Sequence, residues 1–221
     1  MSDAAVTDAP EGERRASEAV RDAPGTAQGA PAGTGQGLTP GAVGQGTDRA
    51  AGRAPVFRRL ALIGVGLIGS SVARVAMERG ELAAEVVASA RGPETLRRVR
   101  ELGIADRVEP DPARAVQGAD CVMLCAPVGA YAGIAAAIAP HLDPGAVLTD
   151  VGSTKQSVLR DVGPLVPPGI HFVPAHPLAG TEHSGPDAGF STLFQGRWCL
   201  LTPPPGADPA AVAGLAAALE R

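Results

Sequence analysis

Gly64-Val65-Gly66-Leu67-Ile68-Gly69 is the segment of this 221-residue chain whose spacing points most directly to chemistry. It has the form G-x-G-x-x-G, follows an apolar run and opens a helix-like stretch, the context in which such a turn holds a dinucleotide pyrophosphate. Gly64 permits the tight turn, Gly66 leaves the backbone bare for the phosphates, and Gly69 lets the helix pack closely on the strand. The first helical turn, with Leu67 and Ile68, offers free amides and a partial positive charge. Selectivity between cofactors is read about 20 residues on, where an acid would accept from the ribose hydroxyls of NAD. Ser89-Ala90-Arg91 stands there, with no acid. Either Arg91 pairs with a 2′-phosphate, or it is a solvated turn residue and NAD binds without an acid's help. The missing acid tips the expectation toward NADP. Ala126 and Pro127, closing the fourth apolar run, complete the set assigned to NAD or NADP together with Ala90 and Arg91.

Two further segments gather polar and ionisable groups: Asp150-Val151-Gly152-Ser153-Thr154-Lys155 and His176-Pro177-Leu178-Ala179-Gly180-Thr181-Glu182-His183-Ser184-Gly185. Each follows an apolar run, at the C-terminal strand edge where doubly wound sheets bind ligands. The elements that must position them alternate. Strands are predicted at RRLALIGVG, EVVASA, residues 106–109, ADCVMLCAP, GAVLTDVGS and IHFVPAHPL, with another at RWCLLTP. Helices are predicted over 67–79, stopped by Gly80; over PETLRRVREL, opened by Pro93 and stopped by Gly103; from Asp111-Pro112; over 129–139; from about Thr154; and from Asp208. Near-continuous apolar strands alternating with helices give an α/β fold, a Rossmann-type doubly wound parallel sheet.

Residues 1–56 differ in texture. They contain no Ile, Phe, Tyr or Trp and a single Leu, Leu38. Such a stretch cannot bury enough apolar surface to offset ordering entropy, so a disordered N-terminal tail is expected, followed by a dinucleotide-binding domain over 57–221. The net charge of −4 argues against a nucleic-acid partner. No apolar run approaches the roughly 20 residues that span a bilayer, so no membrane partner is expected; reduced cysteines and an N-terminus without a secretory pattern make a cytoplasmic location the expectation. Cys121, Cys125 and Cys199 have no companion ligands nearby in sequence. They are read as reduced, buried hydrophobes rather than a metal site.

The motifs GVGLIGSS, DVGSTK, HPLAGTEHSG and LFQGRWCLLTP together resemble the prephenate/arogenate (cyclohexadienyl) dehydrogenase family of tyrosine biosynthesis, from about Leu60 to the last residue. The resemblance implies oxidative decarboxylation of prephenate or arogenate, with hydride passing to NAD(P). It makes His176 the group that takes the substrate hydroxyl proton, a task suited to an imidazole. It makes Ser153 a hydrogen-bonding partner of that hydroxyl; Ser153 is also placed to cap the next helix. Thr181 and Glu182 match positions lining the substrate pocket, or form a polar loop. Lys155 is expected to face solvent rather than substrate, and Trp198 to serve packing. In the family an all-helical dimerisation domain follows. None is present here, so the chain is expected to be a fragment, incomplete at its C-terminus, of a homodimeric enzyme. Two other readings stand: another Rossmann oxidoreductase, of the β-hydroxyacid dehydrogenase or imine reductase type, and a non-catalytic truncated nucleotide-binding module.

Overall fold

A computed structural model describes residues 53–220. The tail expected over 1–56 lies, up to position 52, outside the described residues. β1 (Phe57–Ile63) shows why the strands form. Leu60 and Leu62 face one helical layer while Ala61 and Ile63 face the other, and all four are buried. Side chains alternate along a strand, so a strand covered on both faces must be apolar at every position.

The chain then crosses over repeatedly. α1 (Leu67–Arg79) stops at Gly80, whose positive φ of 68° turns the backbone so that its N–H reaches the Ala76 carbonyl. β2 (Ala83–Ser89), α2 (Pro93–Leu102) and β3 (Arg107–Val108) follow. α3 (Pro112–Ala115) is capped by Asp111, which accepts the Ala113 N–H at 3.0 Å. Next come β4 (Cys121–Leu124), α4 (Tyr131–Ile138), β5 (Val147–Asp150), α5 (Lys155–Val162) and β6 (His171–Phe172). These strands form one six-stranded sheet in the order β3-β2-β1-β4-β5-β6, parallel throughout. The order reverses between β1 and β4, and ligands of doubly wound sheets sit at that switch point. No helix among the described residues is long and apolar enough to cross a membrane.

The strand predicted over IHFVPAHPL divides in two. The Val173 N–H still donates to the Leu148 carbonyl of β5 at 2.9 Å. Two residues on, the Ala175 N–H meets the carboxylate of Asp150 rather than a main-chain carbonyl, and the ladder with β5 ends. β7 (Ala175–Pro177) instead pairs antiparallel with β8 (Cys199–Leu201), as a separate two-stranded ribbon. α6 (Pro209–Leu219), capped by Asp208, returns Leu215 and Ala218 to the layer occupied by α1.

Two packing expectations are corrected. Trp198 is 79% exposed, beside the exposed Leu178 and Leu200. It immediately precedes β8, and its carbonyl accepts the Leu178 N–H at 2.8 Å. Of the cysteines only Cys121 is fully buried; Cys125 and Cys199 are half-buried, and all three are free thiols.

The layered core predicts a contrast. Leu62→Ala should lower unfolding free energy by about 2–5 kcal/mol, whereas Trp198→Ala should change it by less than about 0.5 kcal/mol. Urea unfolding midpoints of the two variants measure this directly.

Candidate functional site

The glycine turn lies at the switch point between β1 and β4. Gly64 has φ 105°, and a Cβ there would fall 2.6 Å from the backbone nitrogen of Ala126. Its N–H donates to the Ser89 carbonyl at 2.7 Å, so one residue ties the ends of β1, β2 and β4 together. A Cβ on Gly69 would sit 2.3 Å from the Gly64 carbonyl oxygen, which holds the helix close upon the turn. Gly66 is different: a Cβ there meets nothing within 4 Å. Gly66 also occupies the N-cap position of α1, and no side chain caps the helix. The turn is therefore tight where protein meets protein and open where amides would meet an anion, which fits a dinucleotide pyrophosphate.

The remaining predicted nucleotide residues occupy the same sheet edge. Leu67 and Ile68 begin α1, half-buried. Ala90 and the exposed Arg91 follow β2, and Ala126 and Pro127 follow β4.

Ser153 lies exposed in the loop between β5 and α5. Thr154, not Ser153, holds the N-cap position of α5, and it makes no side-chain cap bond. His176 is half-buried on β7, opposite Leu200. It lines a cavity of about 560 Å³ with Thr181, Phe190, Thr192, Gln195 and Arg197. Glu182 points outward instead, 3.3 Å from the exposed His183.

Lys155 corrects an expectation. Its side chain is only 13% exposed and pairs with the fully buried Asp150, with Nζ 2.6 and 2.5 Å from the two carboxylate oxygens. Nζ also donates to the Ala175 carbonyl at 2.5 Å. Asp150 accepts the Gly152 N–H at 2.8 Å and the Ala175 N–H at 3.2 Å. Gly152 can come this close because a Cβ there would collide with Val128. Burial pushes the Asp150 carboxyl upward and the Lys155 ammonium downward, and the bonds between them oppose both shifts. Sequence reasoning gave Asp150 no role. The signal was there: an acid ending an otherwise apolar, buried strand is costly unless a cation meets it. Arg197 was also missed, since nothing in its local sequence marks it as bordering the His176 cavity.

Comparison with known proteins shows what the domain resembles. The nucleotide-binding domain of prephenate dehydrogenase matches residues 73–221. A cyclohexadienyl dehydrogenase of Zymomonas mobilis is 43% identical over 162 residues, covering 73% of this chain and 54% of that protein. A prephenate dehydrogenase of A. aeolicus, solved with hydroxyphenyl propionate and NAD+, superposes with a TM-score of 0.67 at 28% identity, over 74% of this chain and 56% of that one. An arogenate dehydrogenase of Synechocystis gives a TM-score of 0.67 at 30% identity, over 73% and 56%. The chain thus spans about half the length of these relatives.

The glycine geometry separates binding from folding. Gly66→Ala should leave the thermal midpoint in place and weaken NAD(P) binding by about tenfold or more, ~1.4 kcal/mol. Gly69→Ala should destabilise the fold by about 1–3 kcal/mol through overpacking. Calorimetric titration and thermal melts of both variants check the pair.

Proposed function

This chain belongs to the prephenate dehydrogenase family through its nucleotide-binding domain, and we propose that it carries the cofactor site and the proton-accepting side of an NAD(P)-dependent prephenate or arogenate dehydrogenase of tyrosine biosynthesis. The observation that supports this most is the placement of His176. It borders a cavity at the same sheet edge as the glycine turn, on a strand tied through Asp150 and Lys155 to the loop bearing Ser153.

Gly64, Gly66 and Gly69 would hold the pyrophosphate, with amides of Leu67 and Ile68 near it and Ala90, Arg91, Ala126 and Pro127 along the rest of the nucleotide. A bound nicotinamide supplies the hydride acceptor. His176 takes the proton of the substrate hydroxyl as the ring carbon bearing it is oxidised to a carbonyl. Ser153 hydrogen-bonds the same hydroxyl and orients it. Carbon dioxide leaves from across the ring, its bonding electrons enter the ring, and the carbonyl regains a proton as a phenol. Among the residues lining the cavity, Arg197 carries the only permanent charge, which suits a substrate carboxylate. Thr181 borders the cavity and Glu182 the approach to it. The enzyme acts as a homodimer in the cytoplasm on a small-molecule substrate.

NADP is the cofactor this site favours. No acid follows β2 to accept from the ribose hydroxyls, and Arg91 is exposed there, free to meet a 2′-phosphate. Arg91→Ala should weaken NADP binding by roughly 10–100-fold, the weight of a charge-assisted hydrogen bond, and leave NAD binding nearly unchanged. Equal losses for both cofactors would remove Arg91 from phosphate recognition.

Absorbance of the reduced cofactor, followed with prephenate or arogenate and NAD or NADP in all four combinations, tests the reaction itself. Turnover is expected in at least one. His176→Asn should then lower kcat by about 10²–10⁴, the range for one acid–base group. Cofactor binding without turnover in any combination would favour a nucleotide-binding module alone.

A further inference from the structure

The ion pair of Asp150 and Lys155 sits between the two loops that carry Ser153 and His176, and the hydrogen bonds it makes beyond itself go to backbone. On one side Asp150 accepts the N–H of Gly152, the residue before Ser153, and Lys155 begins the helix just after it. On the other side Asp150 takes the N–H of Ala175 and Lys155 takes its carbonyl.

Ala175 is the residue before His176, and among the described residues no strand pairs with its backbone on the side away from β8. In the ribbon, main-chain bonds to the β8 side come from alternate residues: Thr202 donates to Pro174 and Leu178 to Trp198, each at 2.8 Å. Such alternation turns the N–H and C=O of Ala175 away from β8 and toward β5. There the carboxylate and the ammonium take the place of a continuing strand. Holding both backbone groups of one residue fixes the peptide that leads into the next. The same two side chains therefore set where the Ser153 loop begins and where His176 starts.

We propose that Asp150 and Lys155 are positioning residues, a side-chain clamp that sets His176 against Ser153 for proton transfer. This rests on the reading of His176 as the proton acceptor. A displacement of about 1 Å between reacting groups can cost roughly 10² in rate, so a clamp of this kind acts on kcat and spares cofactor binding.

The test does not require turnover, so its failure is separable from failure of the assigned reaction. In the isotope-labelled chain, the His176 ring signal is assigned by its loss in His176→Asn, and amide hydrogen exchange is followed at Ala175, Leu62 and Val122. Lys155→Met should speed Ala175 exchange by about tenfold or more and broaden or split the His176 ring signal, while Leu62 and Val122 stay protected and NAD(P) affinity is kept. Because a lone buried carboxylate can unfold a domain, the double variant Asp150→Asn, Lys155→Met, which removes both charges, is measured alongside. It should show the same local changes on an intact core. In an active preparation kcat should fall by about 10²-fold with the KM for the nucleotide unchanged. A His176 signal and Ala175 exchange rate unaltered in either folded variant overturn the clamp. Loss of protection at Leu62 and Val122 in both variants also overturns it, by assigning the pair to folding alone.

Discussion

One buried carboxylate holds the chemical end of this domain together. Asp150 has no exposed surface, and its two oxygens are shared among Lys155 and two backbone amides. Removing a carboxylate from water costs several kcal/mol even after relaxation, so the position is tolerable only with such a full set of partners. The consequence is architectural as well as electrostatic. By taking the Ala175 N–H, the side chain ends the parallel ladder one residue pair early and frees the chain to turn into an antiparallel ribbon. His176 is carried on that ribbon. Had the main-chain carbonyl of Asp150 received Ala175, β6 would have run on in the sheet and its side chains would have kept facing the helical layers.

The sheet below supplies what the clamp cannot. Two apolar layers lock β1 and β4 side by side, and Gly64 approaches the backbone of Ala126 at a distance no larger residue allows. That contact sets the switch point. A nucleotide bound over Gly66 and a substrate in the His176 cavity would then lie along one edge, with the sheet as the common rigid reference. Rigid strands carrying short loops are how doubly wound proteins place groups from distant parts of the sequence within reach of one another.

Much of this was legible in the residues. Strands buried on both faces carry near-continuous apolar runs, so β4 and the inner stretches of β1, β2 and β5 announce themselves. Gly80 and Gly103 stop their helices because each takes a positive φ. The glycine turn is legible because its spacing encodes contacts within one strand–turn–helix unit. The long-range features were not. A lysine at a loop edge has enough rotatable bonds to reach solvent or a buried acid, and only the position of β7 decides which. Trp198 carries a large apolar surface that ordinarily predicts burial, yet the face it occupies is set by ribbon pairing, which no local period reveals. The splitting of the sixth strand depends on a side chain 25 residues earlier in the sequence. Ser153 and His176 stand in motifs that a family resemblance singles out, whereas the ion pair between their loops is a long-range contact that no motif spells out.

In the proposed enzyme one sheet edge brings nucleotide, His176 and Ser153 together. A crystal structure of the protein with NADP+ and a phenolic product analogue tests it most directly. The pyrophosphate is expected against the amides beyond Gly66 and the phenolic oxygen within hydrogen-bonding distance of His176 and Ser153. A pyrophosphate bound elsewhere, or an analogue whose hydroxyl lies away from both residues, would contradict it.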